Sequence, residues 1–91
     1  MLTRVQKTML RGAAVKFLCE RSVLAFEPES VARLLGVRRM VDFEVSADDA
    51  QEALEYLAGI GVAREIPNRL GDTVAYKITE AGIVAHGRGE V

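Results

Sequence analysis

Few side chains in the sequence could carry out covalent or metal chemistry. The single cysteine, Cys19, lies in the apolar run "AAVKFLC", which is typical of a small thiol packed in a core. The single histidine, His86, has no cysteine or histidine partner at the spacing of a zinc site. No glycine-rich phosphate loop and no nucleophile–base pair is evident in the sequence. We therefore expect no enzyme and no cofactor.

One cluster of carboxylates has side chains that could hold a metal ion. It contains Asp42, Glu44, Asp48 and Asp49. Neither the ligand spacing of a calcium loop nor its glycine accompanies these residues. We therefore expect no metal site. These acids instead contribute to the distribution of charge along the chain.

Charge is divided unevenly along the 91 residues, whose formal net charge is −1. Residues 1–45 carry eight Lys and Arg against five acids, a balance of +3. Residues 46–91 carry four against eight, a balance of −4. Such asymmetry is typical of a face built for phosphate, or of a molecule that packs against its own copy.

Length and composition predict one domain, residues 1–91, in the cytoplasm. A chain of 91 residues leaves little room for a second core. It has no apolar run of about 18 residues, so we expect no membrane span. The N-terminus lacks the apolar segment of a signal peptide, and one cysteine cannot form an intramolecular disulfide.

Apolar spacing predicts two helices in the first half of the chain. Residues 3–20 place Val5, Met9, Ala13 and Phe17 on one stripe. The segment "PESVARLLG" has a proline in its first turn and a glycine at its end, as short helices often do. The segment "VRRMVDFEV" that follows alternates in part, and part of it is expected to be extended.

A third helix and a hairpin are predicted in the second half. "SADDAQEALEYLAGIG" begins with Ser46 and Asp49 in the spacing of a capping box and ends in glycine. Residues 62–66 and 73–78 are predicted strands, because "PNRLGD" between them is rich in turn formers. Thr79 then caps a last short helix, "EAGIVA", and residues 83–91 are expected to fray.

The order helix, helix, helix, hairpin and the stretch "ALEYLAGIGVAREI…VAYKITEAG" resemble the winged helix-turn-helix family. That family often carries Leu-x-x-Leu, a glycine turn, an apolar strand, a wing, and a strand that ends in Leu/Ile-Thr-x-x-Gly. The matching residues here are Leu54, Leu57, Gly61, Val62, Ile78, Thr79 and Gly82. The match covers residues 46–82 well and residues 3–36 loosely.

The resemblance implies an α+β fold: a three-helix core, a C-terminal β-hairpin wing and a short final helix. The nine residues "VRRMVDFEV" make a longer link between the second and third helices than most of the family has. This spacing and the glycine-rich tail are similar to those of small phage-encoded winged-helix proteins.

Duplex DNA is the ligand that the resemblance implies. The third helix would enter the major groove and the wing would contact the backbone or the minor groove. The expected function is that of a transcriptional regulator. The residues expected to contact DNA are Arg38, Arg39, Gln51, Arg64, Arg69 and Lys77.

The charge of the third helix favours an alternative. Its expected outward residues include four acids and no Arg or Lys, and acids repel the phosphates that supply most of the affinity for DNA. The alternative is an interaction module without DNA binding, which holds a basic protein partner. Near the start of a helix, acids also stabilise the helix dipole without any partner. The acids concerned are Asp48, Asp49, Glu52 and Glu55.

A homodimer through the first helix is a further prediction. Val15, Leu18 and Cys19 lie away from the stripe that runs from Val5 to Phe17. They are expected to leave apolar surface on the far side of that helix. A helix that is apolar nearly all round is buried on more than one side.

Overall fold

The computed structural model describes residues 2–67 and 74–90, which form a mixed α+β fold. The elements follow the order predicted from the sequence, with helices first and an antiparallel hairpin after them. They are α1 (Arg4–Glu20), α2 (Pro28–Val37), α3 (Ala47–Gly59), β1 (Ala63–Pro67), β2 (Val74–Ile78) and α4 (Glu80–Gly87). One expectation differs from the structure, because residues 83–87 continue α4 instead of fraying.

Side-chain caps fix the starts of α1 and α3. The Asp49 N–H donates to Ser46 Oγ at 3.1 Å, and the Ser46 N–H donates to Asp49 Oδ2 at 3.1 Å. Thr3 and Gln6 make the same reciprocal pair at the start of α1. Each pair satisfies two backbone donors that a helix start leaves free, so these two boundaries are set locally.

The core lies where α1, α2 and α3 meet the inner face of the hairpin. Leu10, Ala14 and Phe17 form the line of α1 that points into it, at spacings of four and three residues. Leu35 of α2 and Leu54 of α3 are fully buried against them. The motif residues Leu54, Leu57, Val62 and Ile78 therefore have a packing role.

The predicted face of α1 is wrong in its first half. Val5 is 68% exposed and Met9 is 46% exposed, whereas Val15 and Leu18 are almost completely buried. The reason is that α1 packs against α2, α3, β2 and α4, so its C-terminal half is enclosed from several sides. Val15 and Leu18 thus do not leave the apolar surface that the homodimer prediction assumed.

The hairpin has one face toward the core and one face away from it. Its register pairs Ala63 with Ile78, Arg64 with Lys77 and Glu65 with Tyr76. Successive strand residues point to opposite faces, so Glu65 shares the inner face with buried Tyr76, and Arg64 shares the outer face with Lys77. Phe26 joins β2 through two backbone hydrogen bonds with Tyr76, at 2.9 and 2.8 Å.

The junction of the hairpin with α4 explains the Thr-x-x-Gly part of the motif. Thr79 Oγ1 donates to the carbonyl oxygens of Gly61 and Val62, at 2.7 and 3.0 Å, and accepts from the Gly82 N–H at 2.9 Å. A Cβ on Gly82 would collide with the Val62 carbonyl oxygen and would lie 2.8 Å from Ile78 Cδ1. Only glycine therefore lets α4 sit this close to the start of the hairpin.

Candidate functional site

Three of the four acids predicted to face outward on α3 have partners within the molecule. Asp49 belongs to the capping box. Glu52 Oε1 lies 3.2 Å from Lys7 Nζ of α1, and Glu55 Oε1 accepts a hydrogen bond from Gln51 Nε2 at 2.9 Å. The Lys7–Glu52 pair is about half exposed, so its contribution to stability is small.

Basic residues of α1 lie along the outward side of α3. The Arg11 guanidinium carbon stacks on the Tyr56 ring, 3.8 Å from its centroid. Together with Lys7, this contact covers part of the surface that the resemblance would place in the major groove. Two of the eight basic residues of the N-terminal half thus lie against α3.

An acidic groove lies on the other side of α3, between the start of α2 and the inner face of the hairpin. Its volume is about 340 Å³. No lysine or arginine among residues 2–67 and 74–90 lines it. Four glutamates do, from three parts of the fold. The lining residues are Glu27, Pro28, Glu29, Ala47, Gln51, Glu55, Glu65, Val74 and Tyr76.

Two of these glutamates act electrostatically on Tyr76, which also lines the acidic groove. Burial raises the pKa of Tyr76 above its ordinary value, and the negative charges of Glu65 and then Glu55 raise it further. Burial is the larger cause of this shift, and the parts due to Glu65 and Glu55 reflect carboxylate charge near the place where α3 meets β2.

The predicted DNA-binding residues do not gather around α3. Gln51 lines the acidic groove. Arg64 and Lys77 face away from it and border a separate groove of about 410 Å³ with Thr79 and Glu80, at the start of α4. Arg69 lies outside the described residues.

Two further arginines predicted to bind DNA lie at the end of α2. Arg38 Nη2 is 3.5 Å from Glu20 Oε2 at the end of α1. Arg39 has a φ of 55°, the left-handed conformation that favours glycine. It ends the helix because its N–H donates to the Gly36 carbonyl oxygen at 3.1 Å and the Met40 N–H donates to the Leu35 carbonyl oxygen at 3.0 Å. Gly36, the predicted end, is still helical.

Sequence reasoning missed Glu27, Glu29 and Glu65 as members of the acidic groove. Glu65 could have been found from strand alternation. Its neighbour Arg64 faces away from the core, and successive side chains point to opposite faces, so Glu65 faces the core side. The two glutamates at the start of α2 could not, since nothing local in the sequence shows that this helix start lies beside α3.

An apolar groove lies between α1 and the end of α3, with a volume of about 460 Å³. Val15 and Leu57 form buried parts of its lining, and Ile60 is half exposed at its edge. The remaining lining residues are Thr8, Arg11, Gly12, Tyr56 and Glu90. Cys19, nearby on α1, is partly buried, and burial raises the pKa of its thiol, which lowers its reactivity at neutral pH.

Searches of protein-family models, curated proteins and solved structures found no match to this chain. Within residues 2–67 and 74–90, no helix is long and apolar enough to cross a membrane. The same residues contain no group of three or more His, Cys, Asp or Glu side chains that could hold a metal ion. The candidate binding surfaces are the acidic groove, the apolar groove, the outer face of the hairpin and the exposed part of α1.

Proposed function

We propose that this chain is a winged-helix interaction module that binds a basic segment of a partner protein in the acidic groove. The observation that carries the proposal is the lining of that groove by Glu27, Glu29, Glu55 and Glu65 without a lysine or arginine of the described residues. A cationic side chain that entered it would meet carboxylates from α2, α3 and β1. Complementary charge of this kind speeds association and selects the partner.

The apolar part of the lining also suits a lysine or arginine. Pro28, Ala47 and Val74 offer surface to the methylene stem of such a side chain, while its charged end reaches the carboxylates. The hydrogen bond that Gln51 Nε2 donates to Glu55 Oε1 holds one of these carboxylates in place. Less side-chain freedom is then lost when a cation binds.

The same lining argues against DNA docked through α3. A duplex placed on α3 would bring phosphates close to the start of α2 and to the hairpin, where these glutamates lie. Phosphate contacts supply most of the nonspecific affinity for DNA, so carboxylates at those positions oppose binding.

Fluorescence anisotropy with a labelled peptide rich in Lys and Arg tests the proposal, with an acidic peptide as the reference probe. We expect the basic peptide to bind and the double variant Glu55→Gln/Glu65→Gln to bind it roughly tenfold more weakly. Asp42→Asn/Glu44→Gln is the matched control, because it removes the same charge from the link before α3. Equal losses in both double variants, or no binding of the basic peptide, would overturn the proposal.

Contact with the DNA backbone through the outer face of the hairpin is a second candidate function. Arg64 stands directly opposite Lys77, and like charges at paired strand positions destabilise a hairpin. A phosphate between them would relieve that repulsion. The outer face, with Arg38, Arg39 and Arg69, would then supply the contacts of a DNA-binding regulator.

Anisotropy with a labelled duplex at ~50 and ~200 mM salt separates the two functions. If the outer face holds phosphates, the salt dependence should be steep, and Arg64→Gln/Lys77→Gln should lower its slope by about two. The variant Arg33→Gln/Arg88→Gln is the control for an equal loss of positive charge. No duplex binding at the lower salt would leave only the peptide-binding function.

A further inference from the structure

We propose that the partner segment binds as an extended strand, which pairs antiparallel with the free edge of β1 and sets a lysine or arginine opposite Glu65. The free edge is the side of β1 that lies away from β2. This inference rests on the proposed binding of a basic segment and adds the conformation, register and sequence pattern of that segment. It is carried by the backbone groups that β1 directs to its free edge and by the charges of Arg64 and Glu65.

The contacts of Tyr76 show which backbone groups of β1 are available for a further strand. The N–H and the carbonyl oxygen of Tyr76 both bond to Phe26, so they point away from β1. Glu65 is the residue opposite Tyr76, and the two residues of such an antiparallel pair direct their backbone groups away from each other. The N–H and the carbonyl oxygen of Glu65 therefore point to the free edge, and no group among residues 2–67 and 74–90 bonds to either of them.

The residues two positions before and after Glu65 limit the length of the free edge. Pro67 directs its nitrogen to the same side, where a missing N–H breaks no bond to β2. Ala63 has the same orientation but is only 2% exposed, so its backbone groups are out of reach. The accessible edge thus consists of both backbone groups of Glu65 and the carbonyl oxygen of Pro67, which suits a short added strand.

The charge of Glu65 selects the central residue of the added strand. Residues directly opposite each other in a sheet have their side chains on the same face. A residue opposite Glu65 therefore lies on the inner face, beside the Glu65 carboxylate and at the border of the acidic groove. A lysine or arginine at this position makes an opposite-charge pair with Glu65 and exchanges two backbone hydrogen bonds with the same residue.

The two neighbours of this basic residue lie on the outer face. In an antiparallel pairing the residue after it stands opposite Arg64, where an Asp or Glu would offset the repulsion between Arg64 and Lys77. The residue before it stands opposite Ile66, which is partly buried, and is expected to be apolar. The pattern of the partner segment, from its N-terminal to its C-terminal side, is therefore apolar, basic, acidic.

A second copy of this chain does not suit the free edge. A twofold axis at Glu65 sets two glutamates opposite each other on one face, and an axis at Arg64 does the same with two arginines. An axis at Ile66 pairs Glu65 with Pro67, whose missing N–H leaves the Glu65 carbonyl oxygen without a donor. A partner protein with the pattern apolar, basic, acidic avoids all three conflicts, so we assign the free edge to such a partner.

Amide hydrogen exchange followed by NMR on the wild-type chain locates the contact. The probe is a capped peptide with the pattern Val-Lys-Glu between flanking threonines. With saturating peptide, the exchange of the Glu65 N–H should slow by roughly tenfold or more, because this N–H becomes hydrogen-bonded. The Arg64 N–H points toward Lys77 of β2 and serves as the internal reference, which should change little. Peptide binding without protection of the Glu65 N–H would overturn the inference.

Methylation of single peptide nitrogens distinguishes strand pairing from binding in the acidic groove alone. Methylation at the lysine removes the donor to the Glu65 carbonyl oxygen and should weaken binding roughly tenfold, as measured by fluorescence anisotropy. Methylation at the following glutamate is the matched control, because that N–H points away from β1. Equal affinities of all three peptides would overturn strand pairing and leave the proposed function intact. If neither this peptide nor the peptide rich in Lys and Arg binds, both proposals are wrong.

Proline substitutions test the free edge in the protein itself. Glu65→Pro removes an N–H that has no bond within the described fold, so the Tm should fall much less than in Arg64→Pro, which removes an N–H directed at β2. Glu65→Pro should also bind the Val-Lys-Glu peptide more weakly than Glu65→Gln, which keeps the N–H. Equal losses of Tm at the two positions, or equal peptide affinities of the two Glu65 variants, would overturn the assignment.

Discussion

The two faces of the hairpin carry opposite charge, although they are the two sides of one two-stranded sheet. On the inner face, Glu65 points with Tyr76 toward α3 and adds to the acidic groove. On the outer face, Arg64 stands beside Lys77 near the start of α4. Neighbouring residues in sequence thus contribute to opposite surfaces, because side chains alternate along a strand.

The faces also differ in how the fold accommodates the charge. One inner carboxylate has a hydrogen-bond partner within the fold, because Glu55 Oε1 accepts from Gln51 Nε2 at 2.9 Å. The two outer cations are set against each other by the register. Contacts within the fold therefore account for part of the negative charge on the inner face. The two cations of the outer face destabilise the hairpin, so a ligand or another role is needed to account for them.

The largest effect on stability is expected from disrupting the close contact of α4 with Val62, next to the outer face of the hairpin. Gly82→Ala forces a Cβ against the Val62 carbonyl, and we expect the free energy of unfolding to fall by about 2–3 kcal/mol. Thermal unfolding followed by circular dichroism measures the change. Gly87→Ala is the matched control in the same helix, because a Cβ there meets nothing within 4 Å of the described residues. Equal effects of the two substitutions would contradict the close contact at Gly82.

Arg39 extends the comparison to the end of α2. Its left-handed backbone should make Arg39→Gly more stable by about 1 kcal/mol, because glycine adopts this conformation without steric penalty. Urea unfolding compares it with Arg38→Gly, whose φ of −83° makes glycine unfavourable there. A stability gain that comes with weaker duplex binding would assign Arg39 to DNA contact. A loss of stability would mean that its side chain has contacts that outweigh the strain.

The order of elements could be predicted because its determinants are local. Ser46 with Asp49, Pro28 near the start of α2, and Thr79 before α4 each mark a boundary through a cap or a fixed φ. The helices consequently begin within one residue of the predicted positions. The exception at the end of α2, Arg39 in place of a glycine, has no sequence signature.

The surfaces could not be predicted to the same extent because they depend on contacts between distant elements. Two apolar stripes are compatible with the sequence of α1: one contains Val5, Met9, Ala13 and Phe17, and the other contains Leu10, Ala14 and Phe17. Only the positions of α2, α3 and α4 determine which stripe is buried. The acidic groove likewise combines three elements that are separate in sequence. The pairing of Lys7 with Glu52 was missed for the same reason.

A smaller effect is expected from replacing one outer cation. Lys77→Glu turns the like-charge pair with Arg64 into an opposite-charge pair, which should stabilise the hairpin by about 0.5 kcal/mol. Chemical unfolding at low and high salt measures it, and the gain should shrink as salt screens the pair. Lys16→Glu, an equal charge change on exposed α1, is the control. A Lys77→Glu variant that is less stable than the wild type would show that repulsion between Arg64 and Lys77 does not destabilise the hairpin.

The smallest effect concerns the inner face and is visible only at alkaline pH. Because the pKa of Tyr76 is raised in the folded chain, the folded state keeps its proton at a pH where the unfolded chain has lost it. The resulting stability is fully present below the ordinary tyrosine value near 10 and is lost as pH rises above it. Tyr76→Phe should remove this part of the decline in Tm between about pH 9 and pH 11. Tyr56→Phe, which removes a hydroxyl from the other side of α3, is the control. An unchanged alkaline decline in Tyr76→Phe would contradict the raised pKa of this hydroxyl.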